Sequence, residues 1–232
     1  MRASTLELLR YPAFSLPTLL FPATVYLVVA SGGHGAGPMR MAGFAGIAVL
    51  GVAFFQFGVG IANDRTTHWE RYLRTLPAPP ATRIAGRVLS ALVFAAGSAA
   101  AVVLAALGIG GAGLPWPRWP VLAAALLAGA VPFALLGIAL GYLVRPKAAL
   151  PIANLLYLPL AYAGGLWSGP AHPSLGGFGL AVPTHAWAGL LWWSAGAVPF
   201  ELSSVAALAG WTCLFGLAAI RGYRRDEGER FR

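Results

Sequence analysis

Six uncharged or nearly uncharged apolar stretches, at roughly 13–31, 41–63, 88–111, 119–144, 148–168 and 202–220, limit what this chain can fold into. Each is close to or longer than the about 20 residues an α-helix needs to cross the hydrocarbon of a bilayer. Only 10% of the 232 residues are charged and 58% are hydrophobic, against about 25% charged in a soluble domain, so a soluble fold is excluded. The 30 glycines and 18 prolines must therefore lie largely inside apolar segments, where membrane helices tolerate both. The lone Cys213 rules out an internal disulfide framework and a cysteine-based metal centre.

Six spans put both ends on one side of the membrane. Fourteen of the 16 Lys and Arg residues fall on that side: Arg2 and Arg10; Arg65, Arg71, Arg74, Arg83 and Arg87; Arg145 and Lys147; and Arg221, Arg224, Arg225, Arg230 and Arg232. Arg40 and Arg118 lie opposite. By the positive-inside rule both termini, the 64–87 loop and the 145–147 loop face the cytoplasm of a multi-pass protein of the cell membrane. Topology thus accounts for the net charge of +9, and no nucleic-acid partner is expected. Arg2 followed by a run ending Val28-Val29-Ala30 has the outline of a cleaved secretory signal. Its removal would leave five spans and force an arginine-rich segment outside, so it is read as the first span.

Ser4-Thr5-Leu6-Glu7 has capping-box spacing, and Leu6, Leu9 and Ala13 oppose Glu7 and Arg10. These predict a short amphipathic helix over 1–12 in the inner interface, turning at Tyr11-Pro12. Between the fifth and sixth stretches, 168–200 carries Pro170, Pro173, Pro183 and Pro199 with Trp187, Trp192 and Trp193. That is too apolar for a solvated loop. Backbone at membrane depth must be helical or shielded by protein, which predicts short re-entrant or interfacial helices, one from near Thr184 through Trp193; an anchoring aromatic belt is the alternative.

The 64–80 segment is charged, aromatic and bounded by prolines. Glu70 and Arg74 stand four apart, and Trp69, Tyr72, Leu73 and Leu76 form an apolar stripe that needs a partner, either lipid headgroups or a cytoplasmic protein. Chemistry-bearing patterns are sparse. The only lysine, Lys147, has no glycine-rich phosphate loop around it. His34, His68, His172 and His185 show no ligand spacing, and no span carries an acid in its interior. Glu201 suits a helix N-terminus. The most polar residues within spans are Gln56 and Asn154, which either line a route or bond between helices. Gly137 and Gly141 permit a close helix contact.

In this order the pieces resemble a known family, the membrane permease subunit of ABC type-2 exporters, which works with a separate ATPase. The resemblance runs over the whole chain, 1–232, as a single transmembrane domain. It rests on Leu6-Glu7-Leu8-Leu9-Arg10-Tyr11-Pro12, similar to the family's E-x-x-R-x-P elbow helix, on Trp69-Glu70-Arg71-Tyr72-Leu73-Arg74-Thr75-Leu76-Pro77, similar to its charged coupling segment, and on six spans with a long outer loop before the last. Asp64-Arg65-Thr66-Thr67-His68 departs from the acidic-basic run and glycine common there. The resemblance implies two permease copies with two ATPase subunits, and ATP and Mg held by the ATPase rather than by this chain. It places Glu7, Arg10, Trp69, Glu70, Arg71, Leu73, Arg74 and Pro77 at or near the ATPase contact, and Gln56 and Asn154 on spans lining the route.

The expectation is an all-α membrane protein with six transmembrane helices, an elbow helix over 1–12, a cytoplasmic coupling loop over 64–87, an outer loop over 168–200 and a cytoplasmic tail over 221–232. The route is nearly uncharged, aromatic and rich in glycine. It suits a hydrophobic or amphipathic cargo such as a drug, natural product or lipid-like molecule, moved by a subunit with no catalytic site of its own. Two other readings stand beside it: a membrane assembly subunit in haem or copper handling, and a lipid-modifying membrane enzyme using His172, His185 and Glu201.

Overall fold

Proline opens most of the helices. The computed structural model describes residues 12–31, 37–65, 67, 80–109, 113–169 and 181–228. Helix α1 is Pro12–Val29, α2 is Pro38–Gly51, α4 is Pro80–Gly108, α6 is Pro146–Ala163 and α7 is Pro183–Ser194. At the first helical position the missing proline N–H would have had no partner, and its fixed φ already suits the helix. Between α2 and the short α3 (Gly60–Asp64), residues Val52–Val59 form a π-helical segment, making one rod from Pro38 to Asp64. A 3₁₀ turn at Trp116–Arg118 leads into α5 (Trp119–Leu143), and α8 is Leu202–Gly228.

Each of the six apolar stretches overlaps one of these helices. Among the described residues, four rods are long and apolar enough to cross a bilayer: Pro38–Asp64, Ile84–Gly108, Trp116–Leu143 and Leu202–Asp226. Six such rods are expected from the sequence. In α6, Lys147, Asn154 and the internal Pro151 and Pro159 interrupt the leucines, and the apolar helix described for the first stretch is Leu20–Val29. Two segment boundaries also shift. Residues 80–87 of the expected loop are already the first turns of α4, and the tail is not separate from the last span, because α8 continues unbroken to Gly228. Residues 1–11 and 68–79 lie outside the described residues, and with them the elbow and coupling assignments of Glu7, Arg10, Trp69, Glu70, Arg71, Leu73, Arg74 and Pro77.

The Pro38–Asp64 rod is the buried centre of the bundle, with every residue from Met41 to Phe54 buried. On one side α1 and α4 pack together and α4 packs on α2; on the other α5 lies between the π segment and α8. The α5 contact is close because two glycines leave room for it. A Cβ at Gly137 would fall on the Ala53 carbonyl, and one at Gly141 would come within 2.7 Å of Ile61. The glycine pair read from the sequence thus works inside this chain. Helix α6 meets the rod through Tyr157, whose ring contacts Phe54 and Phe55 edge-on.

Helix α7 begins within a residue of the expected start. It is not an aromatic belt: Trp187 is fully buried and Trp192 nearly so. The Trp187 indole Nε1 donates to the Ala125 carbonyl at 2.8 Å and its ring meets Phe133, in space that a Cβ at Gly129 would occupy. At its start, Thr184 Oγ1 donates at 2.6 Å to Leu160 O near the end of α6, a second donor on a carbonyl that also accepts from Gly164 N at 3.0 Å.

Candidate functional site at the charged end of the bundle

The rod ends where its charges begin. After Asp64 the chain turns at Arg65, whose amide still bonds to Ile61 O at 3.1 Å, and Thr67 closes the turn on Asp64 O through both its amide (2.8 Å) and its hydroxyl (2.7 Å). From this turn the Arg65 side chain crosses to α5. Its Nη1 donates to Gly141 O at 2.9 Å, Tyr142 O at 2.6 Å and Val144 O at 3.3 Å. Gly141 O and Tyr142 O are in the last turn of α5, where carbonyls lack intrahelical donors and carry the negative end of the helix dipole, and Val144 follows the helix in extended conformation. A guanidinium there satisfies several acceptors at once.

The same guanidinium pairs with α8: Arg65 Nη2 lies 2.7 Å from Asp226 Oδ1, with the Asp226 side chain 4% exposed. Around the pair, Arg87 of α4 reaches Asp64 Oδ2 at 3.9 Å and its guanidinium sits 5.9 Å from the Tyr142 ring centroid. Tyr142 meets Tyr223 edge-on at 5.3 Å. The ends of the rod, α4, α5 and α8 are therefore joined through one arginine and its neighbours. Charges taken out of water are costly unless paired, and removing one partner of a buried pair costs about 3–5 kcal/mol, so this cluster fixes the relative positions of the helix ends it joins.

The two polar residues expected within spans part company. Gln56 lies in the π segment, 4% exposed, with Nε2 unpartnered among the described residues. An unmet buried donor costs about 1–3 kcal/mol, and π segments occur frequently at functional positions. Asn154 is exposed on α6 and its Nδ2 donates back to Leu150 O at 3.2 Å, within its own helix. On the far side, His185 meets the Trp192 ring at 6.3 Å and Glu201 is exposed just before α8; His172 lies outside the described residues. Among the described residues no three of His, Cys, Asp and Glu are grouped as a metal site would require.

Sequence reasoning used Arg65 as a topological charge and as part of a departure from the family's acidic-basic run, and left Asp226 unremarked. A signal was present, an acid in a basic helix end, at Arg224-Arg225-Asp226. Its partner is more than 150 residues away in the chain, so spacing alone does not pair them.

The fold defines an all-helical membrane protein. Over 119 residues the chain is 27% identical to the protein named "Putative transport permease YvfS" of Bacillus subtilis strain 168, a match covering 51% of this chain and 49% of that protein. The similarity thus spans about half of each. No family model and no solved structure matches.

Proposed function

We propose that this chain is the permease subunit of an ATP-driven exporter, with six transmembrane helices, both termini in the cytoplasm of a cell-membrane assembly, and no catalytic site of its own. The observation that carries the reading is the Arg65–Asp226 joint. The segment bearing Trp69, Glu70, Arg71, Leu73, Arg74 and Pro77 emerges from a turn bonded to α5 and α8. Four residues of chain reach at most about 14 Å, so a force applied at Trp69 acts close to a point that α5 and α8 share. Such a root suits a segment that takes up movement from a partner.

In this reading an ATPase, two copies per assembly, binds Mg and ATP and presses on Glu7, Arg10 and the 69–77 segment. Two copies of this chain then alternate between inward- and outward-open states. The partial likeness to a protein named as a transport permease supports the transporter class. The nearly uncharged interior, with Gln56 as its buried amide, suits a hydrophobic or amphipathic cargo, because a charged cargo would meet no compensating charge there.

Co-expression of the tagged chain with soluble ATPases from the same source, followed by extraction in mild detergent, tests the proposal. A bound ATPase that hydrolyses ATP, and that Arg71→Glu or Arg74→Glu releases while the permease stays folded, is the expected result. No bound ATPase on a folded permease, or binding indifferent to both substitutions, overturns it.

A further inference from the structure

At the end of the bundle opposite Arg65, α5, α7 and α8 enclose an open-sided groove of about 610 Å³. Its walls are nearly all apolar: Pro120, Ala124 and Ala128 on α5, Trp193 on α7, Phe200 before α8 and Ala209 on α8. Among the described lining residues the one hydroxyl, on Thr212, donates to Leu208 O at 2.7 Å, so this lining asks no hydrogen bond of an occupant. From Pro120 to Ala128 it follows α5 for about 12 Å at 1.5 Å per residue, close to one leaflet of a hydrocarbon core about 30 Å thick. Val205 of α8, one of its lining residues, is exposed.

The mouth carries a charge. Arg118, two residues before Pro120, donates through Nη1 to Trp193 O at 2.8 Å and to Ser194 O at 3.4 Å. That leaves its Nε and Nη2 without a partner among the described residues. Trp193, whose carbonyl Arg118 holds, meets the Phe200 ring at a tilt of 57° with centroids 4.8 Å apart. An apolar groove about one leaflet long, with a guanidinium that has spare donors bonded to the backbone of its Trp193 wall, matches one class of molecule.

We propose that this groove binds one acyl chain of a phospholipid from the leaflet on the Arg118 side, with the lipid phosphate on Arg118. The guanidinium fork matches phosphate oxygens, and the small side chains Ala124, Ala128 and Ala209 give the chain its width. The bound lipid covers the seam between α5 and α8 on the Arg118 side. This inference rests on the membrane setting alone and not on the transport reading.

The test uses the full chain, purified in mild detergent and washed free of lipid. Native mass spectrometry follows added phosphatidylglycerol or a diacylglycerol with the same acyl chains, and a phosphatidylglycerol with an acyl-chain diazirine maps the site. Expected are one phospholipid per chain and crosslinks concentrated at 120–128 and 205–212. Arg118→Gln should weaken phosphatidylglycerol about tenfold, the scale of one charged hydrogen bond, and leave diacylglycerol unchanged. Because Arg118 also holds α5 to α7, Arg118→Lys serves as the folded comparison that keeps the charge and the lipid. Ala124→Trp, which fills the groove without touching Arg118, should abolish the localised crosslinks. Crosslinks spread evenly over all exposed helices, equal affinity for diacylglycerol, or occupation of the groove by a second copy of the chain would overturn the proposal.

Discussion

Asp226 near the end of α8 lies 2.7 Å from Arg65 at the end of the central rod, and the same guanidinium satisfies terminal carbonyls of α5. One side chain therefore does what three separate contacts would otherwise do. Asp226→Asn leaves that guanidinium short of its counter-charge at a site 15% exposed on the arginine side. A loss of about 3 kcal/mol or more corresponds to a fall of roughly 6–12 °C in thermal unfolding for a chain of this size. Arg65→Gln should cost more, since the carbonyls lose their donor as well, and the double variant less than the sum of the two. Arg87→Gln, whose partner Asp64 is 60% exposed at 3.9 Å, should stay within about 1 kcal/mol. Fluorescence-monitored melting in detergent reads all four; equal effects of Asp226→Asn and Arg87→Gln would show that the buried pair holds nothing.

The indole of Trp187 occupies the space that Gly129 lacks a side chain to fill. Gly129→Ala should therefore displace Trp187 and break its bond to Ala125 O, with overpacking of about 1–3 kcal/mol added. Gly97→Ala, at an exposed helical position with nothing within 4 Å, should be neutral or stabilising by up to about 1 kcal/mol. Melting temperatures moving in opposite directions confirm the packing, and a neutral Gly129→Ala would refute it.

The charge census predicts a topology that cysteine labelling reads directly. In a Cys213→Ser background, Trp116→Cys replaces a residue 84% exposed and should react with a membrane-impermeant maleimide in intact cells. Thr67→Cys, at the opposite end of the bundle, should react only after permeabilisation. Reversed labelling would invert the orientation and move the 69–77 segment away from any cytoplasmic ATPase.

Much of the helix framework was legible because its causes are local. Long uncharged runs demand backbone bonds closed within the segment, whereas the start of α4 at Pro80 was missed because the charged residues through Arg87 read as loop. The helix from Pro183 was readable from the conflict between its tryptophans and an exposed loop. The burial of Trp187 was not, because the slot that receives it is built by Gly129 and Ala125 on another helix.

By itself the sequence determined a helical membrane protein, the stretches that become helices and the asymmetry of charge between its ends, because hydrophobic run length and Lys/Arg placement act segment by segment. Tertiary structure alone decided which face of each helix is buried, that Gly137 and Gly141 serve the contact with Ala53 and Ile61, that Gln56 falls in a π turn, and that Arg65 finds Asp226. Those outcomes depend on groups far apart in the chain arriving at the same place, and the distances and packing that bring them together exist only once the bundle has formed.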